Sequence, residues 1–177
     1  MDLNEYQEKA ARTAGGFSSL EDMGQMAMAG MVEEAGECVG CLKKMRWHSD
    51  PRAKDRLLLE LGDLLWYVAT FFTAHGLKLG DTQWYPTVGL VNKKADGQDM
   101  EHAMNLVVLA LRLCSATTRQ DRMMGGWAMM SEIGMVGCLF GYTIESITAA
   151  NLEKLGRRFK EGFSPEAAQA QADTVSL

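Results

Sequence analysis

From Leu57 to Phe72 the chain reads LLLELGDLLWYVATFF, an apolar or small-residue run broken only by Glu60, Asp63 and Thr70. Its length and leucine content predict a helix rather than a strand, buried nearly all round and central to the fold. Upstream, Met23, Met26, Ala27, Gly30, Met31, Cys38, Cys41, Leu42 and Met45 recur at helical spacing, with Glu33, Glu34 and Glu37 on an adjoining face. This predicts a helix that starts at Ser18 or Ser19, has Glu21 and Asp22 in its first turn, and runs to about Met45. Trp47 to Asp55, punctuated by Asp50-Pro51, reads as a linker. The two helices are therefore expected to form an antiparallel hairpin. Before them, Leu3 to Thr13 predicts a short amphipathic helix capped by Asp2 or Asn4, and Gly15-Gly16-Phe17-Ser18-Ser19 is a break.

His75-Gly76 closes the central helix, and Leu77 to Gly97 reads as irregular, with Trp84, Tyr85 and Pro86 better suited to anchor a loop than to cover a ligand. Two further helices are expected, over Asp99 to Thr117 and Asp121 to about Tyr142. Leu106, Val107, Leu109, Ala110, Leu113 and Cys114 supply one apolar surface, and a methionine-rich set from Met123 to Phe140 supplies the other. Methionine at this density favours adaptable packing. Thr143 looks like the N-cap of a last helix that carries Asn151, Lys154, Arg157 and Arg158 and stops near Gly162 and Pro165. The Ala/Gln-rich residues 164–177 have little to bury and are expected to form a frayed helix or a disordered tail. No internal repeat is clear enough to use. The expected class is all-α, with one domain over residues 1–163.

Composition narrows the reading. The chain has 177 residues, in the range of one domain with a sizeable core. Its net charge of -5, from 18 basic and 23 acidic residues, argues against the bulk electrostatics of a nucleic-acid polymer surface. Cys38, Cys41, Cys114 and Cys138 all fall in apolar or helical contexts. The CVGC spacing has no second pair and no nearby histidine, so buried free thiols and a reducing setting are expected rather than zinc. The N-terminus is polar and lacks an apolar signal core, and the central run, about 16 residues with two acids, is short for a membrane span. These features suggest the cytoplasm and no membrane partner.

The acids carry the chemistry. Glu60 and Asp63 are three apart and share a helical face, and an unpaired buried charge costs on the order of several kcal/mol. Glu34 and Glu37 show the same spacing on the neighbouring helix. Four acids facing one another repel, and a hard divalent cation such as Mg²⁺ resolves this, with Mn²⁺ a possible substitute. Lys and Arg on the last helix could fold back and stabilise developing charge, which suits hydrolysis of a phosphoanhydride. Glu-x-x-His pairs of the di-iron type are absent, the nearest being the single Asp99 to His102. His48, His75 and His102 share no spacing.

Glu33-Glu34-x-x-Glu37, 22 intervening residues, and Glu60-x-x-Asp63 resemble the signature of the all-alpha nucleoside triphosphate pyrophosphohydrolases, the MazG-like group. LNEYQEKAARTA, ELGDLLWYVA and ITAANLEKLGRRFKEGFS resemble the same group, in the same order. The resemblance implies an antiparallel helical bundle of that superfamily, with Mg²⁺ held by Glu34, Glu37, Glu60 and Asp63, and Glu33 orienting water or supporting the ligands. It implies that Asn151 and Lys154 contact nucleotide phosphate or sugar, assisted by Arg157 or Arg158. The implied reaction is cleavage of a nucleoside or deoxynucleoside triphosphate to monophosphate and pyrophosphate. Alternatives are a form specialised for dUTP, dCTP or a phosphoribosyl nucleotide, and a non-catalytic helical oligomer or binding module. Assembly as a homodimer or homotetramer is also implied. The chain departs from the compact members by an insertion of about 65 residues, 77–141, which leaves the acidic quartet intact.

Overall fold

A computed structural model describes residues 1–81 and 97–164. It contains six α-helices and no strand among those residues: α1 (Leu3–Ala11), α2 (Leu20–His48), α3 (Ala53–Ala74), α4 (Asp99–Cys114), α5 (Arg119–Leu139) and α6 (Ile144–Arg158), with a 3-10 turn over Leu79–Asp81. The architecture is the expected all-α bundle. Trp84, Tyr85 and Pro86 and the tail beyond Ser164 lie outside the described residues.

Side-chain caps decide where the helices begin. Asp2 accepts the backbone N–H of Glu5, Ser19 that of Asp22, and Thr118 that of Asp121. Thr143 and Ser146 exchange bonds in a reciprocal capping box. The linker expected over Trp47 to Asp55 shrinks to residues 49–52. Arg46 and His48 in the last turn of α2 suit its dipole and carry the helix past Met45. Ser49 then takes a left-handed conformation (φ 50°) and its N–H bonds Lys44 O. Asp50 accepts the N–H of Arg52 and pairs with the Arg56 guanidinium, so α3 starts directly after the turn.

The layering follows from the apolar faces. α2 packs along α3, α4 along α2, and α5 against both α4 and α3, while α6 and α1 lie on α3 and touch each other. Leu57, Leu61, Leu64, Leu65, Val68, Phe71 and Phe72 are buried along α3. α3 thus forms the axis of the core. At 22 residues it is also long and apolar enough to cross a membrane by length and composition, unlike the shorter run expected, but 56% of its apolar window is buried inside the protein. α1 is fastened to the far end of α3: Gln7 Nε2 donates to Leu77 O (2.9 Å), and Gln7 Oε1 accepts from Leu79 N (2.9 Å).

Close helix approach depends on particular glycines. A Cβ on Gly126 would sit 2.1 Å from the fully buried Phe72 ring, and one on Gly30 would sit 2.2 Å from Tyr67. Gly36, on the open face of α2, has nothing within 4 Å. Gly126→Ala should therefore cost about 1–3 kcal/mol of overpacking. Gly36→Ala should add about 0.5–1 kcal/mol through helix propensity. Urea midpoints at constant slope measure both, and opposite signs are the expected result.

A candidate metal centre

The acidic site is made where α2 crosses α3. Glu34 stands among buried neighbours Met31, Ala35 and Cys38, which fix its turn of α2 against the core. Glu60 and Asp63 are flanked by Leu57, Leu61 and Leu64, and so are held at the edge of the buried face of α3. One carboxylate oxygen from each of Glu34, Glu60 and Asp63 can be chosen so that all three lie within 4.8 Å of one another. All three residues are half-buried.

Glu37 stands outside this group of three. It is exposed, one turn along α2, and acts on Glu60 through its charge. Glu33 is also exposed, and its charge reaches Glu34 and Tyr67. Glu34 and Glu37 share a side of α2 but are turned by about 60° from one another, and the way α2 crosses α3 brings Glu34 rather than Glu37 against Glu60 and Asp63.

α6 answers the acids. Lys154 Nζ donates to Asp63 Oδ2 at 2.5 Å, and Asn151 Nδ2 donates to Asp63 Oδ1 at 3.0 Å. The three-residue spacing puts both on the face of α6 that meets α3. Gly62 permits the approach, because a Cβ there would lie 2.9 Å from Asn151 Cβ. Behind them the Tyr6 hydroxyl donates to Asn151 Oδ1 at 2.8 Å, and both residues are fully buried. Tyr6 thereby fixes the Asn151 amide so that its NH₂ faces the carboxylate. Its phenol is pushed well above its ordinary range, first by burial and then by the Asp63 charge.

Burial, and after it charge crowding, shows in the acids themselves. Glu34 is pushed up to about 8, by burial first, then by Asp63 and Glu60, with Lys154 opposing. Glu60 is pushed up to about 7, by burial and by Asp63, again opposed by Lys154. Cys38, beneath them, is raised well above the usual thiol range chiefly by burial, and Cys41 reaches about 11. The cysteines are free thiols, as expected from their contexts.

A cavity of about 370 Å³ opens beside the acids. Glu34, Asp63, Lys154 and Arg158 give it a charged side, and Phe17, Met26, Trp66, Tyr67, Phe159 and Phe163 an apolar one. Trp66 is braced by its indole N–H donating to Thr13 Oγ1 (2.9 Å). Phe159 and Phe163 stack at 5.8 Å, and the Arg158 guanidinium lies over Phe159. Gly15 and Gly16 lie flat under Phe163, where any Cβ would come within 2.9 Å of its ring. Of the expected basic residues, Lys154 and Arg158 line this cavity. Arg157 is exposed and pairs with Glu153 one turn back. Tyr6 and the aromatic wall are what residue-level reasoning missed. The signal lies in the glycine pair before Phe17, which by itself marks a break, and in the Phe159–Phe163 spacing, which by itself accompanies a helix stop.

No protein-family model, curated protein or solved structure matches the chain.

The raised acids set a pH dependence. Folding lifts Glu34 and Glu60 above their unfolded value of about 4.5, so the folded state binds more protons than the unfolded one between that value and about 8. Stability should therefore fall as pH rises through this window. In EDTA the melting temperature should drop between about pH 5 and about pH 8, and millimolar Mn²⁺ should remove most of the drop by binding the ionised acids. A melting temperature flat with pH in EDTA would contradict this assignment.

Proposed function

We propose that the protein is a divalent-cation-dependent pyrophosphohydrolase that converts a nucleoside or deoxynucleoside triphosphate to the monophosphate and pyrophosphate. The observation that carries the reading is the convergence of Glu34, Glu60 and Asp63 opposite Lys154, beside a cavity with one charged and one aromatic side. The resemblance of the two acidic motifs to the MazG-like group supports the same reading.

The donor set fits a hard cation. Three carboxylates offer only oxygen, the preferred ligand of Mg²⁺ and of Mn²⁺ in its place. The proton affinities of Glu34 and Glu60 are raised first by burial and then by mutual repulsion among the acids, which Lys154 offsets only in part. When bound, such an ion supplies neutralisation of phosphate oxygens and activation of water. Glu34, Glu60 and Asp63 would hold it, with Glu37 entering from its outer turn and Glu33 accepting a hydrogen bond from water at the edge.

The remaining residues divide the substrate between them. Lys154 and Arg158 offer charge-assisted donors to the phosphate chain. Asn151 holds Asp63 in one orientation and is itself held by Tyr6. The aromatic side of the cavity suits a flat base, which gains from stacking and from leaving water. The overall change adds water across one phosphoanhydride: a P–O bond breaks, and the bridging oxygen leaves on one product. Lys154 is well placed to stabilise the charge that develops there.

A panel of the common ribo- and deoxynucleoside triphosphates with Mg²⁺ or Mn²⁺ tests the reading by release of pyrophosphate and monophosphate in equal amounts. Glu60→Gln and Asp63→Asn should each lower turnover on the order of a hundredfold or more while leaving helix content unchanged. Lys154→Met should lower turnover too, and should not weaken binding of Mn²⁺ alone, since the ammonium competes for Asp63. Absence of pyrophosphate release across the whole panel would sink the proposal.

A further inference from the structure

The residues the acids leave unexplained lie in the inserted hairpin. α4 and α5 are joined by residues 115–118, a turn of the same length as 49–52 between α2 and α3, and the second hairpin carries four more helical residues between the positions compared below (102 to 132 against 34 to 60). His102 on α4 and Glu132 on α5 face each other, with Nδ1 2.7 Å from Oε1, and both are half-buried. Set beside the first hairpin, Glu33-Glu34-Ala35 corresponds to Glu101-His102-Ala103, and Glu60-Leu61-Gly62-Asp63 corresponds to Glu132-Ile133-Gly134-Met135. The facing pair Glu34 and Glu60 thus becomes the facing pair His102 and Glu132.

Exposure follows the same register. From Val32 to Val39 and from Met100 to Val107, each position falls in the same broad range as its counterpart, buried, half-buried or exposed. The same holds from Leu59 to Tyr67 and from Ser131 to Leu139. Helical periodicity alone would give any two packed helices a similar rhythm. It would not place a Glu-x-Gly on the second helix of each hairpin with its carboxylate opposite a polar partner on the first. The packing agrees, since α2 pairs with α4 and α3 with α5, as in two hairpins related by a two-fold axis.

We propose that α4–α5 is a second, degenerate copy of the α2–α3 acid hairpin, in which His102 replaces Glu34, Asn105 replaces Glu37 and Met135 replaces Asp63. An internal His102–Glu132 pair then stands where the first copy gathers carboxylates. The chain supplies both halves of a two-fold bundle and keeps one cation position rather than two. The second position is closed by chemistry rather than by shape. Imidazole donates directly to the surviving glutamate, and a thioether takes the place of the third carboxylate, leaving too few hard oxygens for Mg²⁺ or Mn²⁺.

Two measurements on the full chain test this. The first rests on the cation reading above: in calorimetric titration with Mn²⁺, the double substitution His102→Glu with Met135→Asp should raise the number of sites per chain from one to two. An unchanged site number in a variant with native helix content and melting temperature would overturn the proposal. The second uses no metal and so separates failure of the repeat from failure of the cation reading. Glu34→His should let the first hairpin form the pair seen in the second, raising the melting temperature in EDTA at about pH 6, where imidazole carries appreciable charge. A lower melting temperature than wild type would show that the two hairpins are not interchangeable at this position, and would overturn the proposal even if the double variant failed to fold.

Discussion

Electrostatic repulsion among three half-buried carboxylates is the constraint to which this end of the molecule answers. Glu34, Glu60 and Asp63 are brought within 4.8 Å by the packing of α2 on α3, which is driven by the apolar faces on either side of them. The hydrophobic term is large and non-directional, and it places the acids together regardless of their charge. The local answers are visible: protons held more tightly by Glu34 and Glu60, and a lysine and an asparagine on Asp63.

α6 belongs to the site more than to the core. It approaches α3 beside Gly62, where no Cβ stands in the way, and Asn151 and Lys154 both donate to the next residue, Asp63. α1 supports it from behind through a phenol that has no water to turn to. The aromatic side of the cavity is assembled from the α1–α2 connection, α3 and the end of α6, so a molecule held there would touch segments distant in the chain. Rigid helices carry the acids, and the connecting glycines shape the wall that a ligand would meet.

Much of this was legible from residue types and spacing. The Glu34 and Glu60–Asp63 positions declare themselves because carboxylates interrupt apolar helical runs, and Thr143 because a hydroxyl three residues before Ser146 is a capping signal. The extent of the turn at 49–52 was not, since Asp50-Pro51 marks a break without saying how short it is. Glu37 shares its spacing with Glu34, and only the actual crossing of α2 and α3 decides which of them points inward. The correspondence of the two hairpins was hidden for a different reason. Few identities survive, and the exposure of each position, which aligns them, is a property of the packed helices rather than of the letters. In the sequence Tyr6 is one aromatic residue of a short amphipathic helix; its role depends on a partner at Asn151, across nearly the whole described chain.

That separation has a consequence for the order in which the protein assembles. Tyr6 and Asn151 are 145 residues apart, whereas each acid hairpin closes across a turn of a few residues. Short loops close at lower entropic cost and sooner than long ones, so the hairpins gather before the two ends of the chain meet over them. The carboxylates therefore encounter one another before Lys154 arrives. The nascent site passes through a stage without Lys154, in which the Arg56 guanidinium on α3, protons and dissolved cations offset its charge.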